Sequence, residues 1–197
     1  MLRHYLLKER LQKEGEHHVR HIENTMKQQY LGDSYDAVKR LWRELLQDWA
    51  PLHADSRFIP DEMRDEYTLL TRIPILTEAS NKPFSILNDP DTGIRLPGEN
   101  NQSEGRSHIS VSTIAEQLKD AYVKCVITFD QSHYRHGRGS QREQRRAKMD
   151  ELQNKGCQSM YYVSHAPFCF AVSTHQVLIE LKSILKAAGI PESRFEE

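Results

Sequence analysis

The sequence predicts an α/β protein: a single three-layer domain in which helices flank a mostly parallel sheet, preceded by an N-terminal helical arm. From residue 28 onward, apolar segments alternate with amphipathic ones, which is the pattern of α/β domains. Segment 123–129 is rich in β-branched residues without strict alternation, which is typical of a parallel strand covered on both faces. We therefore assign the arm to residues 1–28 and the α/β domain to residues 29–197, a length that fits one domain.

In the first half of the chain, the spacing of apolar residues predicts three helices and three extended segments. The first helix is polar and its apolar stripe is thin after Gly15, so we expect a peripheral arm or a contact in a homodimer. The second helix carries Trp42 and Trp49 on one apolar stripe, which favours a core role for both. The helices span about residues 2–27, 35–47 and 60–70, and the extended segments about residues 29–31, 73–76 and 84–87.

The second half begins with a polar, glycine-containing stretch at 95–107, which predicts a surface loop. Ser173 or Thr174 can cap the last helix, and Gly189 before Pro191 ends it. The predicted helices are 112–119, 140–154 and 174–188, and the predicted strands or extended segments are 123–129, 160–163 and 168–172.

The overall charge is balanced, with 27 Lys and Arg against 28 Asp and Glu and a net charge of −1. This balance excludes a globally basic DNA-coating protein and a disordered acidic tail. Three cysteines without a C-x-x-C pair predict buried thiols in a reducing cytosol, with neither a disulfide framework nor a zinc knuckle. No apolar run approaches the roughly 18 residues of a membrane span, and charges interrupt the first ten residues, so we expect a cytoplasmic protein.

Acidic residues follow several of the predicted strands. Asp33 follows segment 29–31, Asp89 and Asp91 follow strand 84–87, and Asp130 follows strand 123–129. The carboxyl ends of parallel strands meet at one edge of a sheet, which is where α/β proteins bind ligands. Carboxylates brought together there repel one another unless a cation neutralises them. The pattern predicts that these four aspartates are catalytic metal ligands for Mg²⁺ or Mn²⁺.

Two histidines are candidates for proton transfer at the same edge: His165 follows strand 160–163, and His133 comes shortly after Asp130. A simpler interpretation of the acids remains open. Asp33 or Ser34 can cap the following helix, and residues 89–93 can form only a turn, because Asp and Gly are also the usual residues of caps and turns.

A basic stretch follows Asp130, with six Arg and Lys side chains against one Glu between residues 135 and 148. Arginine binds phosphate through two parallel hydrogen bonds, so this stretch predicts a phosphate grip. Lys39, one helical turn after Asp36, is a further candidate to reach a phosphate. The alternative is a solvated helix face. The candidate phosphate ligands in the stretch are Arg135, Arg138, Arg142 and Arg145.

An acidic cluster beside a basic segment is the combination that phosphodiester cleavage requires. We therefore predict a metal-dependent phosphoryl hydrolase, a nuclease or phosphatase, with a nuclease acting on DNA or RNA favoured. Its partner would be nucleic acid or another phosphate-containing substrate. A non-catalytic module that binds nucleic acid or protein through the basic stretch is an alternative.

Two family resemblances suggest other chemistry. Gly32-Asp33-Ser34 and Asp130-Gln131-Ser132-His133 resemble blocks of the Gly-Asp-Ser esterase and lipase family. That resemblance implies Ser34 as nucleophile, His133 as base and Asp130 as the residue that orients it. The family's intermediate blocks are missing, with only Gly98-Glu99-Asn100-Asn101 in their place. Asp89-Pro90-Asp91 is similar to the haloacid-dehalogenase phosphatases, but Thr92 stands one place too early, so no residue roles are carried over.

Overall fold

A computed structural model describes residues 31–78, 80–96, 106–131 and 139–197. The predicted arm at 1–28, its dimer contact and most of segment 29–31 lie outside these residues, as do His133, Arg135 and Arg138. The described part is an α/β protein built on a seven-stranded mixed sheet. None of its helices is long and apolar enough to cross a membrane.

The described helices follow the predicted ones closely. Asp33 and Thr174 cap the first and last of them, and Ser140 forms a capping box with Glu143. Short 3₁₀ turns occupy Asp61–Met63 and Glu192–Arg194. The α-helices are α1 (Ser34–Leu46), α2 (Arg64–Thr71), α3 (Val111–Gln117), α4 (Gln141–Asn154) and α5 (His175–Ala187).

Most of the strands also match, and the 123–129 prediction is confirmed residue for residue. The sequence prediction missed the strand at 52–55, because four residues containing His53 and Asp55 show neither an apolar run nor a clear alternation. The strands are β1 (Leu52–Asp55), β2 (Ile75–Leu76), β3 (Phe84–Asn88), β4 (Gly93–Ile94), β5 (His108–Ile109), β6 (Val123–Phe129), β7 (Gln158–Tyr162), β8 (Phe168–Val172) and β9 (Phe195–Glu196).

The main sheet has the strand order β2-β1-β3-β6-β8-β7-β9. The first four strands are parallel. The expectation of a mostly parallel sheet holds only for this half, because β8 is antiparallel to both β6 and β7, and β9 is antiparallel to β7. Only residues 163–167 join β7 to β8, which is too short for a parallel crossover. Since β7 runs in the same direction as β6, the residues after both strands reach the same edge.

The core is aromatic where α1 crosses the sheet. Trp42 is fully buried and meets Tyr162, Phe168 and Phe170 edge-on, with ring centroids 4.9–5.9 Å apart, an arrangement that favours aromatic pairs. Trp49 is half-buried against the same core. All three cysteines are buried and free, as predicted.

Candidate functional site at the carboxyl edge of the sheet

A cleft of about 420 Å³ lies where β3 and β6 end beside the first turn of α1. Three of the four predicted metal ligands and Lys39 line it. The lining residues are Leu31, Asp33, Tyr35, Asp36, Lys39, Asp89, Pro90, Asp91, Phe129 and Gln131.

Two charged residues of α1 lie on its buried face. Asp36 and Lys39 are each only 5% exposed, and they share that face with Trp42 and Leu46 because positions three and four apart lie above one another on a helix. The Lys39 Nζ atom donates to Asp36 Oδ1 at 2.8 Å and to Asp89 Oδ2 at 2.5 Å. We call Asp36, Lys39 and Asp89 the Lys39 centre.

The protonation of the Lys39 centre follows from its stoichiometry, two carboxylates for one ammonium. Burial by itself lowers the pKa of Lys39, but the charges of Asp89 and Asp36 outweigh burial and raise that pKa above 10.5. Burial raises the pKa of Asp89, and this effect exceeds the opposing one of Lys39. Both shifts favour a bound proton, as expected for a buried group of charges with an excess of acid.

Tyr67 of α2 lies beneath the Lys39 centre. It is fully buried, and its ring centroid is 5.6 Å from Lys39 Nζ. Its hydroxyl group interacts with the Asp89 carboxylate as a hydrogen-bond donor, although the bond falls outside standard geometry. Burial and the charges of Asp89 and Asp36 raise its pKa well above 10. Sequence reasoning did not single out Tyr67, because a tyrosine on an amphipathic helix carries no signal of this kind.

Asp33 has the capping role that the simpler interpretation gave it. Its Oδ1 atom accepts from the backbone N–H groups of Tyr35 at 2.8 Å and Asp36 at 3.3 Å. Gly32 donates its N–H to Asp36 Oδ2 at 2.7 Å, which fixes that carboxylate from the other side. Ser34, the nucleophile of the esterase resemblance, is an exposed residue at the start of α1.

Aromatic rings form one side of the cleft. The ring of Tyr35 lies 5.2 Å from that of Phe129 and 5.8 Å from that of His165. His165 is exposed and reaches this position because it follows β7, which runs in the same direction as β6. The structure therefore brings His165 to the edge that the sequence predicted, as a neighbour of Tyr35.

The structure does not bring Asp130 into the cleft. Successive residues of a strand point to opposite faces, so Phe129 and Gln131 line the cleft while Asp130 points away from it. Its Oδ2 atom accepts from Lys148 Nζ and from the Tyr161 hydroxyl, both at 2.7 Å. We call Asp130, Lys148 and Tyr161 the Lys148 centre.

The Asp130 carboxylate of the Lys148 centre also contacts the backbone that follows β3. Asp130 Oδ1 accepts from the backbone N–H of Ile94 at 2.9 Å. The preceding residue, Gly93, has φ +124°, and a Cβ atom there would lie 2.2 Å from Asp130 Oδ1. Only glycine allows this approach. Asp130 therefore connects β6 to the 89–93 turn, and its carboxylate is fully engaged in a structural role.

Asp55 is a strand-end acid that the sequence prediction missed together with its strand. It is 9% exposed, and its Oδ2 atom accepts from Arg57 Nη2 at 2.6 Å and from Gln117 Nε2 at 2.9 Å. The three central parallel strands thus each end at an aspartate that is paired with a cation of this chain. These pairs are Asp55 with Arg57, Asp89 with Lys39, and Asp130 with Lys148.

These pairings bear directly on the predicted metal. The described residues contain no group of three or more His, Cys, Asp or Glu side chains that could hold a metal ion. The position between Asp36 and Asp89, where a cation would neutralise both, is held by the Lys39 ammonium. Between Asp36 and Asp89, the Lys39 ammonium therefore takes the place that Mg²⁺ or Mn²⁺ would occupy.

The described part of the basic stretch faces away from the cleft. Arg145 is 7% exposed and binds Glu196 Oε2 through Nε at 2.9 Å and Nη2 at 2.6 Å. Arg142 is exposed, with its Nε atom 3.4 Å from Glu196 Oε1. Glu196 belongs to β9, which β8 and β7 separate from β6 and the cleft. Arg142 and Arg145 thus do not join the acids in one site.

Comparison with known proteins gives no relative: no family model, no curated protein and no solved structure matches the chain.

Proposed function

We propose that the cleft binds a small organic cation, a protonated amine attached to an aromatic or similarly flat apolar group. One observation carries the proposal: among the described residues, four carboxylates and a single ammonium line a cleft that also has an aromatic side. Concave sites lined by one sign of charge concentrate ligands of the opposite sign.

The Lys39 ammonium demonstrates the environment that such a ligand would meet. It lies between two carboxylates, 5.9 Å from the centroid of Phe129 and 5.6 Å from that of Tyr67. Cations at this distance from an aromatic face are attracted by the ring quadrupole. Asp33 and Asp91 add two further carboxylates to the lining of the cleft.

The same environment disfavours a bare phosphate. An anion in the cleft would face the carboxylates of Asp33, Asp89 and Asp91, whereas Lys39, the one cation among the described residues of the lining, is engaged by Asp36 and Asp89. Burial raises the pKa of Asp89, so the charge it offers to a cation falls as the pH is lowered. A binding site for a cation is therefore the activity that this geometry supports best.

Calorimetric titration with 2-phenylethylamine, 2-phenylethanol and 3-phenylpropionate at pH 7 tests the proposal, since the three probes share a ring and differ in charge. We expect only the amine to bind, and Asp91→Asn to weaken it by about fivefold, since one unit charge near a surface contributes on the order of 1 kcal/mol. Asp65→Asn, which changes an exposed acid of α2 outside the cleft lining, is the matched control. Equal binding of all three probes, or no binding of the amine, would refute the proposal that the cleft binds an organic cation.

A second candidate is the metal-dependent phosphoryl hydrolase, as nuclease or phosphatase. Its support is that Asp33, Asp89 and Asp91, three of the predicted ligands, line one cleft. Calorimetric titration with Mn²⁺ and Mg²⁺ separates it from the amine proposal. Metal binding that Asp91→Asn abolishes, together with chelator-sensitive cleavage of a phosphodiester, would favour the hydrolase, and absence of metal binding would exclude it.

The three-layer arrangement is likewise an inference that the packing supports. Trp42 of α1 contacts Tyr162. The neighbouring Tyr161 binds Asp130, which also binds Lys148 of α4. Because adjacent strand residues point to opposite faces, we infer that α1 and α4 cover opposite faces of the sheet.

A further inference from the structure

The basic stretch is the sequence feature that the cleft does not use. In its described part, Arg142, Arg145 and Arg146 lie three and four positions apart on α4, so they are neighbours on one helix surface. We call these three residues the α4 arginine face. The cations in that face meet Glu196 of β9 and the residue after it, and Arg146 also pairs with Asp150 of α4 at 3.1 Å.

Two guanidinium groups converge on one carboxylate. Arg145 approaches Glu196 Oε2 with two nitrogens, at 2.9 and 2.6 Å, and Arg142 Nε lies 3.4 Å from Oε1. Arg146 Nη1 donates to the backbone carbonyl oxygen of Glu197 at 3.1 Å. Arg145 is further held over the ring of Tyr161, 6.0 Å from its centroid. Its guanidinium is thus oriented by an aromatic ring as well as by an acid.

We propose that the α4 arginine face is a contact surface for the phosphate backbone of nucleic acid, and that Glu196 occupies it as an internal competitor. Arginine presents the same planar set of donors to carboxylate and to phosphate, so the Glu196 carboxylate stands where phosphate oxygens would bind. This proposal concerns a surface separate from the cleft and does not depend on the cleft's ligand.

The competitor is held by a short edge strand, by a largely buried pair with Arg145 and by an exposed pair with Arg142. Strand β9 has two residues at the sheet edge and pairs only with Tyr161 and Tyr162 of β7. Exposed ion pairs such as that of Arg142, whose side chain is 84% exposed, contribute little to stability. A polyanion that offers several phosphates can therefore replace one carboxylate on this face.

Fluorescence anisotropy with a labelled 24-base-pair DNA duplex, titrated at several salt concentrations, tests this proposal. We expect Glu196→Gln, which removes the competing charge but keeps a hydrogen-bond acceptor, to bind several-fold more tightly than the parent protein. Its log–log salt slope should steepen by about one, since each phosphate contact contributes about 0.9 to the slope. The Arg142→Ala, Arg146→Ala double variant should bind more weakly with a shallower slope.

Arg40→Ala is the matched control, because it removes one exposed arginine from α1, a helix outside the α4 arginine face. It should bind DNA like the parent protein. Hydrogen exchange of the unmodified protein provides a test that needs no variant: the duplex should accelerate exchange of the β9 amides. Unchanged affinity and salt slope in Glu196→Gln, parent-like binding by the double arginine variant, or unchanged exchange in β9 would each overturn the proposal.

Discussion

The Lys39 centre and the Lys148 centre each pair a buried lysine with an aspartate at the end of a strand, and the two strands are neighbours. The two centres differ in the ratio of carboxylates to ammonium groups. In the Lys148 centre one ammonium meets one carboxylate. The Tyr161 hydroxyl and the Ile94 N–H also donate to the Asp130 carboxylate. In the Lys39 centre one ammonium serves two carboxylates, and the nearby Tyr67 hydroxyl has no well-formed hydrogen bond.

Access to solvent separates them further. Asp130 and Lys148 are 1% and 0% exposed, while Asp36, Lys39 and Asp89 line an open cleft. A buried charge pair with every polar atom satisfied is best explained as structure. An excess of buried acid that includes a carboxyl with a raised pKa, placed at a cleft, is instead typical of a site that acts on a ligand.

The largest effect should come from breaking the Lys148 centre. We expect Asp130→Ala to lower the free energy of unfolding by about 3–5 kcal/mol, because it leaves the Lys148 ammonium buried without its carboxylate. Urea unfolding monitored by circular dichroism measures this change. The Asp130→Ala, Lys148→Met double variant should recover part of the loss. A double variant that is no more stable than Asp130→Ala would show that the pair is not the source of the effect.

An intermediate effect with a pH signature should come from the Lys39 centre. We expect Lys39→Met to destabilise the fold by about 2 kcal/mol at pH 8, because Asp36 and Asp89 then face each other without a cation. A carboxyl whose pKa is raised on folding contributes stability that is present at low pH and lost as pH rises through the folded-state value. The deficit relative to the parent should therefore shrink at pH 5.

Urea unfolding of both proteins at the two pH values measures that deficit. Lys119→Met, which removes a lysine that is 71% exposed, is the control and should change stability little at either pH. An equal deficit for Lys39→Met at pH 5 and pH 8 would contradict the charge balance assigned to this centre.

The smallest change in stability should come from Asp33, where two substitutions distinguish its helix-capping role from a role in ligand binding. We expect Asp33→Ala to cost about 1 kcal/mol of stability and Asp33→Asn almost nothing, because asparagine also caps helices well. Thermal unfolding measures both changes. If Asp33→Asn retains stability but loses affinity for 2-phenylethylamine, the Asp33 charge acts on the ligand as well as on the helix.

The sequence predicted the α/β class and the position of most elements because their apolar spacing is local information. Strand β6 and the caps Asp33 and Thr174 are clear cases. It missed β1, whose polar His53 and Asp55 obscure the pattern, and it missed the direction of β8, which depends on pairing between distant segments.

For the candidate site, the sequence by itself determined that acidic residues follow the strands and that Asp36 and Lys39 share a helix face. Only the tertiary structure decided how these charges are neutralised. Lys39 finds Asp89 fifty residues away, and Lys148 finds Asp130 from a separate helix. The pleat of β6 then turns Asp130 away from the cleft that Phe129 and Gln131 line. A carboxylate's partner and the face it occupies are set by packing between elements, which local spacing does not encode.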